Sequence, residues 1–375
     1  MNQNNLKLAI QLRHELHSNP ELSYREHWTK KHLMNFLRNN TRLELVDRDK
    51  WFYAIYHAGK DKPNIAFRAD FDAVAIDETI SIPWKSKFPG IAHKCGHDGH
   101  SAAMAAFALE VDQGGADKNI FFLFQHAEET AAGAIECQTF IPEHNISEIF
   151  AFHNSPGLPC ALVSARAGTT NCASTGMRIS FAGLPSHASE PESGRNPAFA
   201  IAELVQAIPG LTGPDKWQDL VMVTVVGIKV GEDAFGISPG DGVLNLTCRA
   251  VHEAQMNILT DKIRILSKEL ADRFDLGVSF EFVEYFPETV AHAASVDKVK
   301  SVCESMGIPF LESDEPSRGS EDFGYYTKLI PGAMFLLGAG EGPPIHTKDY
   351  DFNDALIETA VELYKGLAGI YSIHA

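Results

Sequence analysis

The sequence predicts an α/β domain with a mixed, mainly parallel sheet, interrupted by an inserted α+β domain of ferredoxin-like βαββαβ order. Three observations carry this. First, the runs NIAFRAD, KNIFFLFQHAEE and SEIFAFHN are apolar enough for burial on both faces, and each releases polar residues at its C-terminal end. Second, the middle of the chain changes rhythm. MRISFAG reads as strand, RNPAFAIAELVQAIPGL as helix, DLVMVTVVGIKVG and GVLNLTCRAV as strands, AQMNILTDKIRILSKELADRF as helix and VSFEFVEYF as strand. Third, 375 residues exceed one ordinary core, since single cores stop growing near roughly 250–300 residues. The expected division gives residues 1–172 and 285–375 to the first domain and 173–284 to the insert.

In chain order, a helix runs through His17, breaks at Asn19-Pro20 and restarts at Ser23, where Glu26 three residues later suggests a capping box for a helix reaching about Leu37. NIAFRAD then ends in Asp70 and Asp72. HSAAMAAFALEVDQ is a small-residue helix with Asp98 just upstream as a possible cap. The next two strands end at Glu128-Glu129 and His153. Ligands in open α/β sheets bind where strand ends open into loops, so these polar residues are expected along one edge. After the insert, VDKVKSVCESMG and NDALIETAVELYKGLAGIYS read as helices, with GAMFLLG between them as a buried strand.

Composition narrows the function classes. Hydrophobic residues at 45% and charged residues at 22% describe a soluble globular chain. A formal charge of −17 opposes phosphate backbones and anionic lipid, which argues against nucleic-acid and membrane partners. The cysteines Cys95, Cys137, Cys160, Cys172, Cys248 and Cys303 show no disulfide spacing. The polar start lacks the pattern of a secretory signal, and no apolar run is long enough to span a bilayer, so the expected setting is cytoplasmic.

The chemistry concentrates at the strand ends. In HKCGHDGH, Cys95 and His97 flank Gly96, and in an extended segment their side chains leave the same side of the backbone. Thiolate and imidazole both suit zinc. An isolated Cys-Gly-His matches many glycine-rich turns by chance; what raises it is its company. Glu128-Glu129 follows a buried strand directly, and adjacent residues in a turn can serve different targets, one a metal and one the water that metal holds. His153 ends the third strand, and His346 lies in the late loop GPPIHTKDYDFND.

These residues carry a resemblance over almost the whole chain. LRHELHSNPELSYRE, FRADFDA, HKCGHDGHSAAM, FQHAEETAAGA, FAFHNSPGLP, GLPSHASEP, GSEDFGYY, PGAMFLLG and IHTKDYDFND resemble the zinc-dependent aminoacylase and carboxypeptidase family of metallopeptidases, specifically its amidohydrolase branch of hippurate hydrolases, N-acyl-amino-acid deacylases and auxin-conjugate hydrolases. The resemblance implies a zinc-peptidase-like catalytic domain with a lid that also dimerises. It further implies two divalent ions, zinc first and manganese, cobalt or nickel as alternatives, roughly 3.5–4 Å apart as in other two-metal sites. The implied ligands are Cys95, as the bridge, His97, Glu129, His153 and His346, with Glu128 as general base. Arg68 stands where related branches place a ligand histidine, which leaves Asp70 as a support for the site. His187 matches the histidine that stabilises the oxyanion. The implied substrate is an N-acyl amino acid or short peptide.

Two departures bear on substrate. Where the family usually reads AFNVIP, this chain has Ala234-Phe235-Gly236-Ile237-Ser238-Pro239, so Gly236 offers no side-chain amide to a substrate carboxylate, while Arg249 is available for a carboxylate or the developing oxyanion. FQPAEE is FQHAEE here, which places His126 beside the site, open to binding substrate, binding metal or packing. The rival expectations are a dipeptidase or carboxypeptidase of the same family, and a metal-bound binding protein without turnover.

Overall fold

The computed structural model describes residues 1–213 and 215–370; Tyr371 and Ser372, at the end of the last predicted helix, lie outside them. The chain divides into two compact units. One holds Met1–Thr170, Val290–Glu315 and the chain from Asp322 onward, and the other holds Asn171–Thr289 and Pro316–Glu321. The second unit thus takes in a short late segment besides the expected insert.

The first unit is built on an eight-stranded mixed sheet in the order Glu44–Arg48, Trp51–Tyr56, Asn119–Gln125, Asn64–Asp70, Glu148–Ser155, Gly332–Gly338, Val163–Ala165, Phe310–Glu312. Its central strands are parallel and buried on both faces, which is why they read as continuous apolar runs. Parallel alignment also brings the C-terminal ends carrying Asp70, Gln125 and His153 to one edge. Helix His97–Gly114 is buried along nearly its whole length, and its alanines let it lie against strand Asn64–Asp70 and helices Gln3–Ser18 and Leu356–Ala368. Phe67, Phe107, Phe122, Phe150 and Tyr364 fill the space between helices and sheet, with Phe67 and Phe107 edge to face at 4.9 Å. Among the described residues no helix is long and apolar enough to cross a membrane.

Three local features differ from the sequence expectation. The hairpin of Glu44–Arg48 and Trp51–Tyr56 is absent from that expectation, because its outer strand is half exposed and charged at both ends, which hides the alternation. The second helix starts at His27, not at Ser23. Its free N–H groups at Trp28 and Thr29 donate to the Glu21 carboxylate at 3.2 and 2.8 Å, whereas Ser23 donates to Asp72 (2.7 Å) and Glu26 accepts from the Ala127 N–H (2.8 Å). Asp98 lies inside the first turn of its helix, whose cap is Gly96, and turns to His17 instead.

The second unit carries an antiparallel four-stranded sheet ordered Val221–Val230, Asp241–Ala250, Ala173–Ala182, Gly277–Phe286. The fourth strand in sequence therefore lies beside the first, which is the split-βαβ arrangement. Helices Ala198–Leu211 and Glu253–Arg273 share a core with Met177, Ile179, Phe181, Leu244 and Leu246.

Candidate metal centre

Five candidate ligands meet in the first unit. Cys95 Sγ lies 3.4 Å from His153 Nε2, and His346 Nε2 lies 3.2 Å from Glu129 Oε1. His97 Nε2 stands 3.8 Å from Glu129 Oε1, 3.9 Å from Glu128 Oε2 and 3.7 Å from Asp70 Oδ2. The donor atoms of Cys95, His97 and His153 form one trio within 4.8 Å of one another, and those of Cys95, Glu129 and His346 form another. The thiol is common to both.

Backbone and hydrogen bonds aim these groups. Gly96 has φ 106°, and a Cβ there would sit 2.2 Å from Asn154 Oδ1, so only glycine lets the Cys95–His97 turn approach strand Glu148–Ser155. His97 Nδ1 faces Asp72 Oδ1 at 3.0 Å, and His153 Nδ1 donates to the Asn154 carbonyl at 2.8 Å. Both rings are thereby turned with Nε2 toward the other candidates, the arrangement that fixes a metal-binding tautomer. Buried His97 Nε2 has no hydrogen-bond partner. Such an orphaned group costs about 1–3 kcal/mol unless something answers it.

Electrostatics indicate what answers it. Burial, then the charges of Glu129, Glu128 and Asp70, push the Cys95 thiol well above the usual range. Burial alone would lower His97, but Asp70, Asp72 and Glu129 outweigh it and hold the ring at about 10. His153 is depressed to about 3 by burial and by the neighbouring His100 and His97. The carboxylates around Cys95 and His97 thus favour positive charge beside these two groups. A proton on His97 answers this in part; divalent cations would answer it further, with Cys95 as a thiolate and His97 as a neutral imidazole among the residues that would hold them. One thiol, three imidazoles and a carboxylate fit such cations by donor chemistry as well as by charge.

Arg68 is spent on the scaffold. Its buried guanidinium donates to Gln125 (2.9 Å), Asp70 (2.6 Å) and Asp322 (2.9 Å). Asp70 is buried, which opposes its ionisation, but Arg68, His97 and His100 outweigh that and keep it charged. Its other oxygen lies 2.7 Å from His100 Nδ1, while His100 Nε2 lies 2.6 Å from Asn154 Oδ1. Asp70 thus braces the site from behind, and His100, with both nitrogens engaged, braces Asn154. His126 is fully buried, with Nδ1 3.9 Å from Cys137 Sγ, Nε2 3.3 Å from Glu136 and the Tyr24 ring edge-on at 5.5 Å, so it faces protein on every side these contacts define.

In the second unit, His187 pairs with Ile237 on a two-residue ribbon, and the Ala188 N–H donates to the Gly236 carbonyl at 3.0 Å, which makes His187 and Gly236 neighbours. His187 Nδ1 accepts the Ser189 N–H at 3.1 Å, so Nε2 carries the ring proton toward solvent. A Cβ at Gly236 would meet no atom within 4 Å, so packing does not demand glycine there. Arg249 donates to the Arg318 carbonyl and to Ser320, which anchors the Pro316–Glu321 segment.

Comparison with known proteins identifies the family. The model of peptidase family M20/M25/M40 matches residues 66–369. The chain belongs to that family. As a member it is a hydrolase of amide bonds. An N-acetylcysteine deacetylase of Bacillus subtilis is 26% identical over 368 residues, covering 96% of each chain. An N-acetyldiaminopimelate deacetylase of Enterococcus faecalis is 28% identical over 366 residues, covering 95% of this chain and 96% of the other. The structure of the Bacillus subtilis YXEP protein, described as a dinuclear metal binding peptidase from the M20 family, superposes with a TM-score of 0.83 at 24% identity, covering 98% of this chain and 99% of that one.

Several residues that pack around these candidates in this M20 chain carry little signal in the sequence. Asp72, which faces His97 and accepts the Glu129 N–H at 3.0 Å, was visible only as the end of an apolar run. His100 and Asn154 had a local signal, three residues after His97 on one helix face and one after His153. His17 has no local signal and the local signal of Glu26 points to a helix cap instead, because their actual partners are far away in sequence.

Proposed function

We propose that this M20 hydrolase uses two divalent metal ions, zinc before manganese, cobalt or nickel, to cleave the amide bond of N-acyl amino acids. The observation that carries the reading is the Cys95 thiol common to two trios, with Glu128 beside the His97 nitrogen aimed at them. Cys95, His97, Glu129, His153 and His346 would hold the ions, which supply a polarised carbonyl and a water acidic enough to lose its proton near neutrality.

The protein's own groups do the rest. The Glu128 carboxylate takes the proton of the attacking water and passes it to the leaving amine nitrogen, so one group serves as base and then as acid. His187, with its proton on Nε2, is assigned the oxyanion. Arg249 is assigned the substrate carboxylate, though its bonds to Arg318 and Ser320 already engage part of the guanidinium. His126 is assigned a packing role rather than substrate contact, since it is fully buried. The deacetylases at 26–28% identity support an acetyl or similarly small acyl group. A homodimer through the second unit and a cytoplasmic setting belong to the same reading.

The test is a screen of N-acetyl- and N-benzoyl-amino acids with metal-reconstituted protein. Chelator-sensitive hydrolysis restored by metal supports the proposal, and binding without turnover across the panel refutes it. Pairs of substrates with blocked and free α-amino groups separate an acylase from a dipeptidase, which requires the free amine.

A further inference from the structure

The Glu128-Glu129 pair sits on a turn whose backbone is held from outside. Ala127, just before the pair, has φ 49°, a left-handed conformation that is unfavourable for a residue with a Cβ. The Ala127 carbonyl accepts the N–H groups of Ala132 and Gly133 at 3.2 and 3.0 Å, and the Ala131 N–H donates to the Glu128 carbonyl at 2.8 Å. Two further N–H groups of the turn go to carboxylates: that of Glu129 to Asp72 at 3.0 Å and that of Ala127 to Glu26 at 2.8 Å. Glu26 is buried and comes from the Leu22–Glu26 segment, which also gives Ser23 to Asp72 at 2.7 Å.

We propose that Glu26 is a positioning residue: by accepting the Ala127 N–H it holds the left-handed turn that directs Glu128 and Glu129 to their separate targets. The proposal rests on the reading of Glu128 as base and Glu129 as ligand. Without the acceptor, a buried N–H loses its partner, and the chain relieves both defects by rotating Ala127 out of the left-handed region, which carries the next two side chains with it. A displacement of about 1 Å in a catalytic group lowers turnover on the order of 100-fold. Burial and the Asp72 charge raise Glu26 to about 8, so near neutrality its accepting oxygen resembles that of an amide.

The variants are E26Q, which keeps an acceptor of the same reach, E26D, which withdraws it by one methylene, and E26L, which removes it. In the full chain, hydrogen exchange of the peptide His126–Gly133 is expected to accelerate on the order of tenfold or more in E26L and E26D and to stay as wild type in E26Q. With metal restored, kcat is expected to fall on the order of 10- to 100-fold in the first two with KM nearly constant, and A127G is expected to recover part of the E26L loss because glycine adopts the turn freely. If E26L does not fold, E26D and E26Q decide. Wild-type exchange and kcat in E26D, or a loss in E26Q equal to that in E26D, overturns the proposal. E128Q is measured beside them. An active E128Q overturns the underlying reading of the base, whereas an inactive E128Q with an unaffected E26D overturns the positioning role alone.

Discussion

Raising the pH from 6.5 to 9.5 is expected to destabilise the first unit through His17, which has no part in the proposed chemistry. His17 is buried between Asp98 at 2.7 Å and Glu78 at 2.9 Å, with Asp351 at 3.6 Å. Lys94 pairs with Glu78 at 2.5 Å, Arg13 lies 3.5 Å from Asp98, and the His93 ring lies 6.2 Å from that of His17. Burial would lower the His17 pKa, but Asp98, Glu78 and Asp351 outweigh it and raise it from 6.5 to about 9. The folded pKa is the higher one, so the contribution is complete below about 6.5 and is lost as pH climbs through about 9. The shift corresponds to roughly 3 kcal/mol at 1.36 kcal/mol per unit. The assay is denaturant unfolding in chelator, so that metal linkage does not enter, for wild type and H17Q at both pH values. Wild type is expected to lose about 3 kcal/mol more than H17Q over this window. Equal losses in the two proteins would mean that the imidazolium is not held by these carboxylates, and the reasoning would fail.

The remaining expectations concern the centre itself. E128Q should keep its metal, read by elemental analysis, while kcat falls on the order of 100- to 10,000-fold, the usual scale for a lost general base; survival of activity removes Glu128 from that role. G96A should cost more than about 2 kcal/mol and release metal, because φ 106° and a 2.2 Å approach to Asn154 leave no room for a methyl group, and a melting temperature equal to wild type would contradict the packing. R68M should destabilise by about 3–5 kcal/mol by leaving Asp70 and Asp322 buried without their cation, visible as a lower denaturation midpoint in chelator.

What the sequence disclosed and what it hid follow from the range of each signal. Asp70, Glu129 and His153 were legible because a parallel strand buried on both faces announces itself as an apolar run, and the residue ending the run marks the sheet edge. The βαββαβ order was legible for the same reason, since each element carries its own period. His17 and Asp98 lie 81 positions apart, and Glu26 and Ala127 lie 101 apart. No local pattern encodes such pairs, and a buried histidine or glutamate reads as an ordinary polar residue of an amphipathic segment until the fold supplies its partner.

The Leu22–Glu26 segment shows how a local rule fails for a physical reason. Ser23 and Glu26 have the spacing of a capping box, and either could satisfy a free N–H at a helix start. The helix instead begins at His27 and takes its cap from Glu21, which frees Ser23 and Glu26 for partners that no helix provides, the Asp72 carboxylate, which accepts from Ser23, and the Ala127 N–H, which donates to Glu26. The competition is settled by cost. An exposed helix end can fall back on water, whereas the buried turn before Glu128 cannot, so the carboxylate is worth more at Ala127 than at the cap. The same preference accounts for Asp98, which leaves its own helix end to glycine and turns to buried His17. In both cases the residue that departs from its local rule is one that stabilises a segment bearing a candidate ligand.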